Sequence, residues 1–309
     1  MKSNIYVIGS SNTDMVIKSN SLPKPGETVI GGNFFVFQGG KGANQAVAAA
    51  KLGGEVTFIS KVGDDSFGKQ SIKGLKEYKI NTDFIKEDKE NHTGVALIMV
   101  DENGENSISV APGANSKLKI EDVIFLEQKL KPIDVVLIQL EIPLDVVRFI
   151  ISLCHRKKIK LILNPAPFHE IDDNDLKCIH TITPNMLEAK SLTGINVFDI
   201  DSSRLAARKL IDKGIENVFI TMGSNGVFFI SDQHEVHIHP KKVEVIDSTA
   251  AGDTFNGALA TALSFGMKIY DSAEFANSAA SISVTKMGAQ DSIPSISDLE
   301  KKYKKYVYS

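Results

Sequence analysis

The chain has 309 residues, 42% of them hydrophobic and 24% charged, and a formal net charge of −3. That length admits one large α/β domain or two smaller ones, and the composition is that of an ordinary globular protein. Near-neutral charge gives no electrostatic grounds for nucleic acid or an anionic membrane as a partner. The only cysteines, Cys154 and Cys178, lack metal-ligand spacing and fit a reducing cytoplasm.

The chain enters the apolar run Ile5–Ile8 almost at once. That run is too short for a signal peptide or a membrane span, and no longer one follows. Similar strand-like runs recur at Val56–Ile59, Val135–Ile138, Leu161–Leu163, Thr181–Thr183 and Val218–Thr221. Helical periodicity lies between them at Ala43–Leu52, Ser66–Tyr78, Leu144–His155 and Ser202–Lys213, with Gly53 and Gly214 placed as C′ residues. Strands alternating with helices predict an α/β fold with a central, mostly parallel sheet covered on both faces.

Residues 12–38 and 92–111 break that rhythm. They read as short alternating strands with turn signals (Lys24-Pro-Gly26, Gly31-Gly32, Glu102-Asn-Gly104) and no helix between them. The expectation is a small β-sheet lid that closes over a site and excludes water. Residues 1–11, 39–91 and 112–309 would then form the α/β domain. β insertions serving dimer contacts are a compatible alternative, since an exposed sheet face needs a cover. The basic end, Lys301–Lys305, reads as the solvated face of a terminal helix.

Ligands of open α/β sheets bind beyond the carboxyl ends of the strands. Polar groups stand at five such ends here: Glu141 after Val135–Leu140, Asn164 after Leu161–Leu163, Asn185 after Thr181–Thr183, Gly223-Ser-Asn-Gly226 after Val218–Thr221, and Asp247 after Val243–Ile246. Each alone is a common turn residue; five on one rim point to a site.

Asn12 and Asp14 share one side of an extended chain, which suits adjacent sugar hydroxyls, although Asn-Thr-Asp is also good turn chemistry. The glycine cluster Gly39-Gly-Lys-Gly-Ala-Asn44 is not a phosphate-binding P-loop, because Gly42 stands where that motif needs Ser or Thr. Nor does Gly9-Ser-Ser-Asn12 carry the dinucleotide glycine fingerprint. Paired glycines before a helix permit close backbone approach and large torsional change, with Lys41 and Asn44 supplying a cation and an amide. Asn185 and Glu188, three apart at a helix start, read either as a capping box or as contacts to a nucleotide and its Mg²⁺. His234, His237 and His239 read as a hairpin surface rather than a zinc site.

The segment Asp247-Ser-Thr-Ala-Ala-Gly-Asp-Thr-Phe255 leads small residues into an apolar-periodic run. It marks a helix start whose uncovered amides and dipole make a seat for an anion. Asp253 at that seat is either an ordinary N-cap or first-turn acid, or a base that takes a proton from an alcohol attacking a phosphoryl group.

Taken in order, these segments resemble the ribokinase family of carbohydrate kinases, also called the phosphofructokinase-B family, from about Ile5 to Pro294. The specific marks are Gly39–Asn44 and Ala251-Gly-Asp-Thr254. Lys24-Pro-Gly-Glu-Thr28, Val62-Gly-Asp-Asp65, Asn164-Pro-Ala-Pro167 and Asn185–Glu188 support them. Gly40-Lys-Gly-Ala-Asn-Gln-Ala46, Gln139-Leu-Glu141 and Met287-Gly-Ala-Gln290 lean toward its ribose-phosphorylating branch.

The resemblance implies that Asp253 is the general base, with the Gly252 and Asp253 amides as anion hole. It implies that Asn12, Asp14, Gly40, Lys41, Asn44 and Glu141 hold the sugar hydroxyls. ATP would meet Asn185, Thr221, Gly223, Ser224 and Gly226, with Asn277 beside the adenine, a position often occupied by His in this branch. Glu188 would organise Mg²⁺. Asp247, Thr249, Ser283, Lys286, Gly288 and Ser292 would surround an activating K⁺. Relatives acting on 2-deoxyribose tend to carry an apolar residue where Asn12 stands, so Asn12 favours ribose. A cytoplasmic homodimer, paired lid to lid, is the implied assembly.

Overall fold

The computed structural model describes residues 3–299, 301–304 and 306. Nine strands form the main sheet: β1 (Asn4–Ile8), β4 (Glu55–Gly63), β5 (Asn81–Asp88), β8 (Val135–Ile138), β9 (Lys160–Leu163), β10 (Thr181–Ile182), β11 (Asn217–Thr221), β12 (Val227–Ser231) and β13 (Glu235–Ile238). Their spatial order is β13-β12-β11-β10-β9-β8-β1-β4-β5. Pairing is parallel from β5 to β11 and antiparallel only through β12 and β13 at one edge. The order turns back beside β1, where β4 and β8 flank it.

β1 shows why a near-continuous apolar run is needed there. Ile5 and Val7 enter one core with Phe58, Leu137 and Phe219, while Tyr6 and Ile8 enter the opposite core with Val136, Ile138 and Leu163. Helices Lys41–Lys51 and Ala251–Ser264 cover the first face; Leu144–Lys157 and Ile200–Asp212 cover the second. On the first face the two helices cross in unusually close contact. A Cβ on Gly257 would lie 2.5 Å from the Ala48 Cβ and 2.6 Å from the Gln45 carbonyl oxygen. Glycine there lets the backbones approach, bringing Asn44 and Gln45 against the first turn that carries Asp253.

Four strands form a second sheet in the order β3-β2-β6-β7: β2 (Asn12–Lys18), β3 (Asn33–Gly39), β6 (Gly94–Val100) and β7 (Asn106–Ala111). Two sequence-distant segments therefore meet as expected, β2 running parallel to β6. By register, Asp14, Val16, Phe37 and Val110 share one face, while Ile17, Phe34, Val36 and Leu97 share the other. Asp65 ties this sheet to the main body: its carboxylate accepts from the Thr93 amide at 2.8 Å and from the Thr93 hydroxyl at 2.7 Å.

Several element boundaries differ from the sequence reading. The first helix begins at Lys41 rather than Ala43, because Gly40, at φ 88°, ends the preceding strand in a conformation that redirects the chain. Val243–Ile246 is not a strand. The backbone amides of Ile246 and Asp247 donate instead to the Val284 carbonyl, at 2.8 and 3.2 Å, and Val245 and Ile246 stay exposed. Asp247 thus sits on a loop. Lys301–Lys304 is a short helix as expected, and Lys305 lies outside the described residues. Among the described residues no helix is long and apolar enough to cross a membrane.

Candidate active site

Asp253 lies in the first turn of Ala251–Ser264, yet it does not cap that helix. The N-cap is Ala250, a non-glycine residue at φ 57°, and no side chain caps it. The Asp253 carboxylate turns to the neighbouring helix. Its Oδ2 accepts from Asn44 Nδ2 at 3.0 Å and its Oδ1 from Gln45 Nε2 at 2.9 Å. Asn44 is itself held by Gln290, whose Nε2 donates to Asn44 Oδ1 at 3.2 Å. A carboxylate has room for about four hydrogen bonds, so acceptor positions remain for a ligand. Beside it the Gly252 and Asp253 amides, among the first of the helix, have no intrahelical acceptor to reach.

Gly40 shapes the wall opposite. A Cβ there would stand 2.7 Å from the Asn12 amide nitrogen, so only glycine lets β2 and the helix start lie together. Lys41 follows, and its amide donates to Glu141 Oε2 at 3.1 Å, which also accepts from the Ser10 hydroxyl. Asn12 is buried, and its Oδ1 accepts from Asn115 Nδ2 at 2.7 Å, leaving Nδ2 to donate elsewhere. A cleft of about 520 Å³ opens beside Asn12 and Glu141, lined by these and Ser10 with Asn115, Val110 and His169 among the rest. Asn115 was not anticipated: it sits 103 residues from Asn12, and nothing local marks it.

Charges crowd this space. Burial pushes the Asp14 carboxyl up to about 7, with Glu141 and Asp253 adding to the effect and Lys41 opposing it. Burial by itself would lower the Lys41 ammonium, but Asp253, Glu141, Glu188 and Asp14 more than offset that and hold it above the usual lysine range. Burial likewise raises Glu188, against the Asn185 amide and Lys41.

The residues expected near a nucleotide also come together. Thr221 ends β11 and bridges to Asn185. Gly223, Ser224 and Gly226 form the following turn, closed by the Met222 amide on the Gly226 carbonyl at 2.8 Å. Gly226 packs against Ile238 and Pro240, and Asn277 Nδ2 donates to the intervening His239 carbonyl at 2.8 Å. Asn185 and Glu188 form the capping box: Asn185 Oδ1 accepts from the Glu188 amide at 2.9 Å, and Glu188 Oε2 from the Asn185 amide at 2.8 Å. The capping-box reading of that pair is the one these hydrogen bonds show, with Lys41 lowering and Asp253 raising the Glu188 carboxyl.

A third group lies next to the Asp253 helix start. Asp247 Oδ1 accepts from the Thr249 amide and Oδ2 from the Gly288 amide, each at 2.9 Å. Although burial works to raise it, the hydrogen bonds from Thr249 and Gly288 keep Asp247 below the ordinary carboxylate range. Ser283 and Lys286 flank Val284, the residue that anchors Asp247, while the buried Ser292 hydroxyl donates to the Ala289 carbonyl at 2.9 Å. Among the described residues, no group of three or more His, Cys, Asp or Glu side chains is placed to hold a metal ion. His237 and His239 lie ring to ring, 4.3 Å apart.

The family model for pfkB family carbohydrate kinases matches residues 2–296. The chain belongs to the pfkB family of carbohydrate kinases. Within this family it is 45% identical to the ribokinase of Haemophilus influenzae over 294 residues, covering 95% of this chain and 96% of that protein. It is 39% identical to the deoxyribokinase of Salmonella typhi over 293 residues, covering 94% and 96%. The structure of the Arabidopsis thaliana ribokinase complexed with ribose and ATP superimposes with a TM-score of 0.88 at 28% identity, covering all of both chains.

Proposed function

We propose that this pfkB-family protein transfers the γ-phosphoryl group of ATP to the 5-hydroxyl of D-ribose. The observation that carries the reading is the Asp253 carboxylate, held by Asn44 and Gln45 at the free amide end of its helix rather than spent on capping it. The full-length similarity to a ribokinase and to a ribokinase–ribose–ATP structure supports the substrate pair. In the reaction Asp253 takes the hydroxyl proton as the sugar oxygen bonds to phosphorus and the bond to ADP breaks. The Gly252 and Asp253 amides receive the charge on the transferring group. Asn12, Asp14, Gly40, Lys41, Asn44 and Glu141 orient the sugar. The adenine nucleotide lies along Asn185, Thr221, Gly223, Ser224 and Gly226, with Asn277 at its base.

Ribose is preferred to 2-deoxyribose because Asn12 Nδ2 would lose its partner on a deoxy sugar. The similarity to a deoxyribokinase makes 2-deoxyribose the second reading.

Mg²⁺ takes one or two carboxylates plus substrate phosphates, and Glu188 suits that role through water, its own oxygens being engaged by Asn185. The ion would neutralise phosphate charge. K⁺ suits the loops joined by Asp247, where Thr249, Ser283, Lys286, Gly288 and Ser292 offer carbonyl oxygens next to the turn that presents Gly252. The small sheet acts as the lid, its Asp14 face toward the sugar. Its opposite face, with Phe34 61% and Leu97 54% exposed, pairs two copies into a homodimer.

The test of the base is Asp253→Asn, which retains shape and loses proton affinity. Its kcat should fall about 10²–10⁴-fold, the scale of general base catalysis. Near-normal turnover in a folded variant would remove Asp253 from that role.

A further inference from the structure

The side chains that reach Asp253 belong to a longer buried chain of amides. Gln45 is fully buried; its Nε2 donates to Asp253 Oδ1 at 2.9 Å and to Asn164 Oδ1 at 3.0 Å, and its Oε1 accepts from Gln139 Nε2 at 2.6 Å. A carboxylate only accepts, so the Gln45 amide must show its NH₂ to Asp253 and its oxygen to Gln139. Gln139, equally buried one residue past β8, must then turn its own NH₂ toward Gln45. That leaves Gln139 Oε1 sealed from solvent without a hydrogen-bond partner. Native cores rarely leave such an atom unpaired, and an orientation kept at that cost calls for a reason.

The chain continues from Asn164. Its Nδ2 donates to the Thr183 carbonyl at 3.4 Å, the Thr183 hydroxyl donates to Asn256 Oδ1 at 2.6 Å, and Asn256 Nδ2 donates to the Gly252 carbonyl at 2.9 Å. Side chains just beyond β8, β9 and β10 thus bear on both the Asp253 carboxylate and the Gly252 peptide. The amides join the strand ends of the main sheet to the turn above them.

We infer that Gln45, backed by Gln139, is a positioning residue for phosphoryl transfer: it fixes the rotation of the Asp253 carboxylate so that a free lone pair meets the sugar hydroxyl. This rests on Asp253 as the base. On this inference Gln45 acts through the Asp253 carboxylate, to which it donates directly. Misplacing a reacting group slightly costs much in rate and little in binding.

The test is a double-mutant cycle on the whole enzyme, with kcat expressed per sugar-binding site counted by calorimetry. Gln45→Met keeps length and burial but has no donor. Losing one hydrogen bond to a charged group predicts a kcat lower by about 10–100-fold, with the ribose KM changed by no more than about 3-fold. Gln139→Met should act in the same direction more weakly, and it carries the cycle if Gln45→Met does not fold. In the Asp253→Asn background either substitution should change the residual rate by less than about 2-fold, because there is no carboxylate left to position. An equal proportional loss in both backgrounds, or a wild-type kcat in the single variants, would overturn the inference and leave the amides a purely structural role. Near-wild-type turnover by Asp253→Asn itself would instead remove the base, and this inference with it.

Discussion

At the scale of the residue, the site is a balance between burial and mutual charge. Asp14 is the clearest case, raised to about 7 mainly by burial. In the unfolded chain an aspartate titrates near about 3.9. As pH rises between those values the unfolded state gives up its proton first, so the folded state binds more protons and loses relative stability. Stability from this group is therefore full below the unfolded value and lost as pH climbs through about 7. Glu188, also raised, has the same sign. The melting temperature of the ligand-free protein should fall between about pH 4 and about pH 7, and Asp14→Asn should flatten that slope. Parallel melting curves for the two proteins would contradict the assignment. Much of this site was legible as residues: Asp253, Lys41, Asn44 and Glu141 stand in recognisable segments. Their long-range partners were not. Asn115 on Asn12, and Gln139 on Gln45, are joined across 103 and 94 positions, and no periodicity or spacing marks such a pair.

At the scale of the element, the readable features were those with strong local signals. Apolar runs bounded by C′ glycines gave the parallel strands and their helices. β5, a stretch as polar as Asn-Thr-Asp-Phe-Ile-Lys-Glu-Asp, carries no such run, is missing from the sequence reading, and is placed by its neighbour β4. Val243–Ile246 shows the converse: β-branched residues that form no strand because the Val284 carbonyl takes their backbone. The small sheet was legible from its turns, but its two apolar faces emerge only from the register. The outer one, Ile17, Phe34, Val36 and Leu97, leaves bulky side chains in water. Replacing Phe34 and Val36 with Asp should convert a dimer to a monomer in light scattering. A wild-type protein already monomeric, or a dimer that survives the double substitution, would exclude pairing through this face.

At the scale of the whole molecule, a sheet whose order reverses beside β1 presents its strand ends to one crevice, which is where open α/β sheets bind ligands. The Gly257 crossing then sets one helix's side-chain amides against another helix's carboxylate, and Val110 of the second sheet lines the cleft with Asn12 and Glu141. These features serve one reaction, and its substrate is its most testable part. The direct measurement is sugar-dependent ADP formation at fixed ATP, comparing kcat/KM for ribose, 2-deoxyribose and fructose, with and without K⁺ and with Mg²⁺ removed by chelation. The account predicts turnover that is highest with ribose, abolished without Mg²⁺ and raised by K⁺. A preference for 2-deoxyribose or fructose, or no sugar-dependent ADP at all, would contradict it.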